Sequence, residues 1–551
     1  MADLTALSPS EVPPAQLCVL RDLLDRQARE KANQDYVRFW SARSGNQAAD
    51  GETWTYAQTL ERVRRRAAAL RDAGVRQGDH VLCWMGNGPE LLASWFAINY
   101  LGAVYVPINT AARGRPLSHI LENADARLMI AHPALVGRLA EIERGALETV
   151  LVTAAEGPAP EPIAGLAIAA MSDPGSVAAE ELALERPIMP WDVQAIMYTS
   201  GTTGNAKGVL FSYVQHYTMG PEAMEAVTAQ DCCMIAGPIF HCGSTLYVYA
   251  VLAKGGTMAM MSEFRTGDFW PAIRDTGSSV VLLLGVMASF LLKAPPRADD
   301  REHPLRKVYI VPFGEDARAF EERFGSQLYT VYNMTEIASP LIAGPGITEA
   351  GLAGTPRPPF ELRVVDANDI PVAPGVVGEL VVRSHRPWAL FSGYYKAAEA
   401  TAVSMRNGWF HTGDAFRVDE SGRFFFVDRI KDVIRRRGEN ISSFELEAEI
   451  LAHPCVREAV AVAVPSDVSE DEVLAVVTPV EGERIDPAAL VEFLASRIPH
   501  YMVPRYIRIA AELPKTASGK LQKHALRGEG LTSDTWDREA AGVKLRREVL
   551  G

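Results

Sequence analysis

The sequence predicts a mixed fold in two parts, α/β followed by α+β. A large N-terminal part is built of parallel βαβ layers with a small β-barrel, and a small α+β domain follows it. Three observations point there. Between residues 80 and 152, short apolar runs alternate with stretches of helical periodicity, the rhythm that feeds a parallel sheet. From 354 to 427 the pattern changes to brief strands separated by turn residues, as in a small antiparallel barrel. Beyond 433 helices and alternating strands form a group of their own. Length agrees, because 551 residues with 48% hydrophobic content can fill more than one core.

In chain order, residues 17–32, 36–40 and 56–73 read as helix, extended segment and helix, with Trp54-Thr55-Tyr56 opening the last. A strand over 80–85, a helix over 89–101 and a strand over 103–107 make the first βαβ unit, which 128–131 and 149–152 continue. Residues 154–179, rich in Ala, Pro and Gly, read as a surface connection. The apolar run Ala195-Ile196-Met197 is a buried strand, and an apolar helix follows Pro238-Ile239-Phe240-His241-Cys242-Gly243-Ser244-Thr245 to residue 252. Strands over 308–311 and 327–331 precede Pro312-Phe313-Gly314-Glu315-Asp316 and Tyr332-Asn333-Met334-Thr335-Glu336. The barrel strands fall at 361–366, 378–383, 409–411 and 424–428. Ser442 and Glu445 have capping-box spacing for a helix through Ala452; strands at 456–464, 473–477 and 506–509 and a helix at 487–497 complete the second part. There is no internal repeat.

Composition excludes several classes of function. The 55 basic against 68 acidic residues leave a net charge of −13, which disfavours a nucleic-acid or anionic-membrane surface. Cys18, Cys83, Cys232, Cys233, Cys242 and Cys455 form no CxxC pair and no zinc-ligand spacing, so a reducing cytoplasm is expected, without disulfides. Residues 1–14 lack the basic segment and apolar core of a signal peptide. The longest apolar run, 280–292, is shorter than the roughly 20 residues a bilayer span needs, so a soluble chain is expected.

The chemistry is concentrated in Thr199-Ser200-Gly201-Thr202-Thr203-Gly204-Asn205-Ala206-Lys207-Gly208-Val209. Its glycines let backbone N–H groups approach a ligand, while its four hydroxyls and one ammonium add donors, a set that suits polyphosphate. It is no Walker loop, since Ala206-Lys207-Gly208 stands where Gly-Lys-Ser/Thr is required. A solvated Gly/Ser/Thr turn would seldom hold a lone lysine in such a run. In Tyr332 to Glu336, a tyrosine face can stack on a purine, a threonine can donate to a phosphate and a carboxylate can hold Mg²⁺. Trp409-Phe410-His411-Thr412-Gly413-Asp414 ends in a carboxylate at a glycine turn, which suits two vicinal hydroxyls, although Gly-Asp turns are among the commonest in proteins. A lone histidine such as His241 is more often packed or capping than catalytic. Only eleven of the 55 basic residues are lysines, and Lys207, Lys431 and Lys520 stand inside such stretches.

The phosphate stretch closely resembles the signature of the adenylate-forming superfamily of acyl-CoA synthetases, peptide-synthetase adenylation domains and luciferases, with Ala206 where that family usually has proline. Further stretches match in order: Tyr332 to Glu336 with Asn333 for glycine, Gly393-Tyr394, Thr412-Gly413-Asp414, Asp428-Arg429-Ile430-Lys431-Asp432, and Leu513-Pro514-Lys515-Thr516-Ala517-Ser518-Gly519-Lys520-Leu521. Phe313-Gly314-Glu315-Asp316 departs from the family's Gly-Gly-Ala-Pro-like turn near the acyl pocket. The run from Arg436 to Glu447 looks most like the carnitine/crotonobetaine–CoA ligase branch.

The resemblance implies an AMP-forming acid–thiol ligase using ATP, Mg²⁺ and coenzyme A. Its catalytic set would be Lys520, His241 (positioning the acid), Thr335 and Glu336, with Glu336 the metal ligand. Nucleotide, acid and CoA would be held by Thr199, Ser200, Gly201, Thr202, Thr203, Gly204, Lys207, Gly314, Tyr332, Asn333, Asp414, Arg429 and Gly438. It also implies an N-terminal domain of residues 1–428, a hinge at 429–432 centred on Lys431, and a mobile C-terminal domain of 433–551. The candidate pocket stretches 283–290, 313–314 and 334–342 are mostly apolar and small, which suits a bulky hydrophobic acid, while Glu315 and Asp316 leave a betaine open. Three alternatives stay open: an adenylation enzyme loading a separate carrier protein, a luciferase-type oxygenase and a catalytically silent nucleotide-binding regulator. Whether the chain forms a homodimer is likewise open.

Overall fold

The computed structural model describes residues 7–41, 51–153, 159–171, 182–199, 206–314, 316–436, 439–466, 471–495, 497–498, 500–515 and 521–543. The chain forms two compact units, Met1–Leu362 with Val382–Phe410, and Arg363–Val381 with His411–Gly551.

The first unit contains a seven-stranded sheet, in the order Ala167–Ala170, Thr149–Val152, Leu128–Ala131, His80–Trp84, Val104–Pro107, Val193–Thr199, Lys207–Ser212. Every neighbouring pair is parallel except the last. Strands such as Leu128–Ala131 are buried throughout, as strands of a doubly covered parallel sheet must be. Leu82, Val106, Leu117, Leu121, Met129 and Val150 share one core on this sheet. A second run of strands places Cys232–Ile235, Thr257–Met261, Val280–Leu284, Lys307–Val311 and Gln327–Met334 in parallel register. Antiparallel pairs flank it, Asp35–Trp40 with Thr53–Thr55 at one end and Gln327–Met334 with Ala338–Ala343 at the other.

Local rules account for most boundaries. Helix Tyr56–Asp72 starts on a capping box, in which Thr55 Oγ1 accepts from the Gln58 N–H at 3.2 Å and Gln58 Oε1 from the Thr55 N–H at 2.9 Å. Pro89 opens the largely buried helix Pro89–Tyr100, and Gly255 at φ +72° ends Cys242–Lys254. The helix expected over 17–32 is instead two, Ala15–Cys18 and Leu20–Glu30. The Tyr249 hydroxyl donates to the Cys18 carbonyl, which a continuous helix would have used itself. Helices Gly114–Ala124 and Thr266–Thr276 join the expected set. Of the expected connection 154–179, residues 159–171 are described and include the strand Ala167–Ala170; the remainder lies outside the described residues.

In the second unit, residues 414–418 of the strand Trp409–Val418 pair antiparallel with Phe424–Arg429, Asp414 facing Arg429. A sheet of Val456–Pro465, Asp471–Pro479, Tyr506–Ile509 and Trp536–Asp537 follows. Both faces of its central strands are buried, Ala461, Val473 and Val477 on one core and Val460, Val462 and Val476 on another. Helix Ser443–Leu451 begins under Asp428, whose Oδ2 accepts from the Ser443 N–H at 2.6 Å, while the Ser442 hydroxyl donates to the Val427 carbonyl at 2.6 Å. Buried Arg436 pairs with Glu472 at 2.7 Å, and its Nη1 donates to the carbonyls of Tyr501 and Val503 at 2.9 and 3.0 Å. None of the six cysteines is in a disulfide, and among the described residues no helix is long and apolar enough to cross a membrane.

Candidate active site

Thr199 and Lys207 are the last cross-strand partners of the antiparallel pair Val193–Thr199 and Lys207–Ser212. Residues 207–209, read from the sequence as part of a loop, are therefore strand. The glycine at 208 is required by that pairing, because a Cβ there would lie 2.7 Å from Ile196 Cγ2. Lys207 projects from the first strand position and is exposed. Nε2 of His119 lies 2.9 Å from the Ala206 carbonyl and anchors the end of the phosphate stretch, a contact between residues 87 apart. Ser200, Gly201, Thr202, Thr203 and Gly204 lie outside the described residues, as do Glu315, Gly438 and Lys520.

The chain from 391 to 395 continues this strand pair. Leu210 N–H donates to the Gly393 carbonyl at 3.0 Å, Ser392 N–H to Leu210 at 3.0 Å and Tyr395 N–H to Gly208 at 2.7 Å. Tyr394 thereby stands opposite Val209. Its phenol donates to Glu336 Oε1 at 2.9 Å, and its ring lies 5.0 Å beneath the Lys207 ammonium. Burial, joined by the Glu336 charge, pushes the phenol well above the usual tyrosine range, so it remains a donor.

Glu336 sits in a three-residue turn between Gln327–Met334 and Ala338–Ala343. The Ile337 N–H closes on the Met334 carbonyl at 3.2 Å, and Ala338, the first residue of the next strand, takes the left-handed conformation at φ +59°. The strand expected to end at 331 runs to Met334, so Tyr332 and Asn333 are strand residues beside a register shift. The Thr335 carbonyl accepts from Gln215 Nε2 at 2.7 Å, and its hydroxyl lies 3.3 Å from the Cys242 thiol. That contact joins the turn to the Pro238–Thr245 stretch. His241 immediately precedes helix Cys242–Lys254, its carbonyl accepts from Ser244 and Thr245 N–H, and its ring packs 4.6 Å from Phe240. Asn87 holds the same stretch, accepting from Ile239 N–H at 3.0 Å and donating to the Gly237 carbonyl at 2.9 Å. His119, Gln215 and Asn87 were not legible as site residues, because only the tertiary fold brings them to these backbone groups.

Gly314 leads into helix Asp316–Phe324, and a Cβ there would meet nothing within 4 Å. The parallel register Leu284↔Val311 places the 284–286 junction beside it, where Leu284 and Val286 are 36% and 49% exposed.

In the second unit, Asp414 is 1% exposed and its Oδ1 lies 2.8 Å from Arg429 Nε in an ion pair, with Arg429 half in solvent. The strand expected over 409–411 runs on to Val418, so the turn expected at Gly413 is strand; Gly413 takes φ +68° within it, its N–H reaches Glu379 and its carbonyl accepts from Ile430. Burial lowers the Lys431 ammonium below the usual lysine range, and Asp432 beside it pairs with Arg527 at 2.7 Å.

Among the described residues no three metal-ligating side chains cluster. The single carboxylate of Glu336 fits Mg²⁺, which is held through one or two carboxylates together with substrate phosphates and water. In the first unit an antiparallel strand pair on a parallel sheet is thus laced to a Thr-Glu turn, and in the second a buried carboxylate pairs with an arginine.

Residues 24–395 match the AMP-binding enzyme family, and residues 445–520 match the AMP-binding enzyme C-terminal domain. The chain belongs to the AMP-binding enzyme family. It is 30% identical, over 492 residues covering 86% of this chain and 93% of the relative, to the crotonobetaine/carnitine–CoA ligase of Salmonella paratyphi A. Its fold is similar to that of ATP-bound MatB from Rhodopseudomonas palustris, with a TM-score of 0.78, 24% identity and coverage of 92% and 98% of the two chains. It is also similar to the anthranilate–CoA ligase AuaEII in complex with anthranoyl-AMP, with a TM-score of 0.82, 21% identity and coverage of 95% and 99%.

Proposed function

We propose that the chain is a carboxylic acid–CoA ligase that converts a bulky hydrophobic acid to its acyl-adenylate and then to its CoA thioester. The observation that supports this most is the lacing of the Lys207 strand to the Glu336 turn through residues 391–395, which keeps a phosphate-binding ammonium and a metal-binding carboxylate on one ring. In the first half-reaction the acid's carboxylate attacks the α-phosphate and pyrophosphate leaves, so catalysis is alignment together with stabilisation of developing charge. Thr199, Ser200, Gly201, Thr202, Thr203, Gly204 and Lys207 would cradle the leaving phosphates, Thr335 the α-phosphate, and Tyr332 and Asn333 the adenine. Mg²⁺ on Glu336 would neutralise phosphate charge when bound. Asp414, oriented by Arg429, would accept from the ribose hydroxyls, and His241 would position the acid. Lys520 would serve adenylation and the Gly438 segment the thiol step, exchanged by rotation about Lys431 within a 429–432 hinge between domains 1–428 and 433–551.

For the acid, exposed Leu284 and Val286 beside the open side of Gly314 favour an apolar partner. A betaine is the second reading. Asp316, bonded to Ser289 at 2.5 Å near the same junction, offers a carboxylate to a quaternary ammonium, and the Salmonella relative is named for such substrates. The test is pyrophosphate release across fatty, aryl, polycyclic and betaine acids, with and without CoA. Turnover with a hydrophobic acid, and an acyl-CoA product, is expected. Selective turnover of betaines would reverse the choice of acid. Adenylate formation that no added CoA carries forward would turn the reading to a carrier-protein enzyme, and no pyrophosphate with any acid would leave the regulator.

A further inference from the structure

The roles above do not use Tyr394, yet it touches two of the groups they depend on. Glu336 is 7% exposed, and a carboxylate so enclosed takes its orientation from its donors. Tyr394 supplies one at 2.9 Å on Oε1. The phenol is itself fixed: the Tyr394 backbone N–H donates to Thr401 Oγ1 at 2.9 Å, the residue bridges Val209, and the Phe391 ring packs edge-on at 5.0 Å. The face of the same ring lies 5.0 Å from the Lys207 ammonium, within cation–π range. The next residue provides a contrast, for Tyr395 donates to Asp125 at 2.8 Å.

We propose that Tyr394 is a positioning residue of the adenylation step, its hydroxyl fixing the Glu336 carboxylate for Mg²⁺-nucleotide and its ring holding Lys207 ready for the polyphosphate. This rests on the AMP-forming reading above. One neutral side chain then sets the spacing between a cation and an anion that both serve the same triphosphate, and it does so from a segment outside the phosphate stretch and the Thr-Glu turn.

The test compares Tyr394→Phe, Tyr394→Leu and Tyr395→Phe. Tyr394→Phe keeps the ring and loses only the hydroxyl, so the Mg²⁺ concentration for half-maximal pyrophosphate release should rise roughly tenfold, the loss expected for one hydrogen bond to a charged group. ATP binding measured calorimetrically in EDTA should be unchanged in that variant. Tyr394→Leu should show the same Mg²⁺ shift and, in EDTA, several-fold weaker ATP binding, because Lys207 loses its aromatic support. Tyr395→Phe should match the wild type in both. Wild-type Mg²⁺ dependence in Tyr394→Phe, equal losses with and without Mg²⁺, or the same shift in Tyr395→Phe would each overturn the proposal. If the wild type released no pyrophosphate with any acid, the ligase reading would fail instead. The calorimetric comparison of ATP binding with and without Mg²⁺ would still decide the role of Tyr394.

Discussion

The Lys207 strand pair of the first unit and the Asp414–Arg429 pair of the second are both antiparallel, yet they hold their functional side chains in opposite ways. Asp414 and Arg429 are direct cross-strand partners, so backbone register alone delivers the guanidinium to the carboxylate at 2.8 Å. Lys207 and Glu336 have no such local relation. They are brought to one ring by Tyr394, far along the chain from either. A register-built site is robust to changes elsewhere, whereas a site assembled by a third segment can be disturbed from a distance.

The sharpest test of this contrast is Asp414→Ala. Two charge-assisted hydrogen bonds to the ribose would be lost, so ATP affinity should fall by roughly a hundredfold or more, read by calorimetry. Unchanged affinity for ATP and AMP would take Asp414 out of the site and make its pairing with Arg429 purely structural. Next in size is Lys207→Ala, which removes one exposed ammonium. ATP turnover should drop roughly ten- to a hundredfold while the melting temperature stays put, because an exposed side chain at a strand end adds little to folding. A large fall in melting temperature with normal turnover per folded molecule would show that the first site is as structural as the second.

A third prediction concerns the buried charges behind the Asp428 cap. Burial pushes the Glu447 carboxyl up to about 7, against the opposing pull of Lys523 at 2.9 Å. A folded-state value above the unfolded one means that the native protein binds the proton more tightly. The stability this gives is present below the unfolded value and is lost as pH rises through the folded one. The second unit should therefore weaken by on the order of 2 kcal/mol between pH 5 and 7. Glu447→Gln should flatten that slope in melting temperature; a slope that survives the substitution would assign it to another group. The smallest effect expected is at the Thr-Glu turn. Ala338 sits at φ +59°, where glycine is at ease, so Ala338→Gly should stabilise by at most about 1 kcal/mol in denaturant unfolding. Destabilisation would mean that buried contacts of the Ala338 methyl outweigh the backbone strain.

What the sequence disclosed follows the same division. Elements with strong periodicity and a local signal, such as Tyr56–Asp72 with its Thr55 cap or Leu128–Ala131, fall where the residues place them. The turn expected at Gly413 before Asp414 is instead the interior of the strand Trp409–Val418. Errors arise where a distant partner decides. Residues 207–209 look like loop until Val193–Thr199 pairs with them, and Val19 looks helical until Tyr249 takes the carbonyl before it. Gly393-Tyr394 was legible as a motif, but not its contact with Glu336, since no local pattern records which carboxylate a phenol will meet.

The lacing of residues 391–395 onto the Lys207 strand has a consequence for the order in which the protein is made. That strand is the terminal member of its seven-stranded sheet, and its outer neighbour is synthesised nearly two hundred residues later. Between the two, Arg363–Val381 is laid down as part of the other unit. At roughly 5–20 residues per second, the growing chain exposes an open strand edge beside its phosphate stretch for about ten to forty seconds. Such edges recruit other chains. A nascent chain, or a fragment cut before residue 391, has every residue of the phosphate stretch and still lacks the segment that caps it, which makes this interval of translation the point where chaperone protection is needed most.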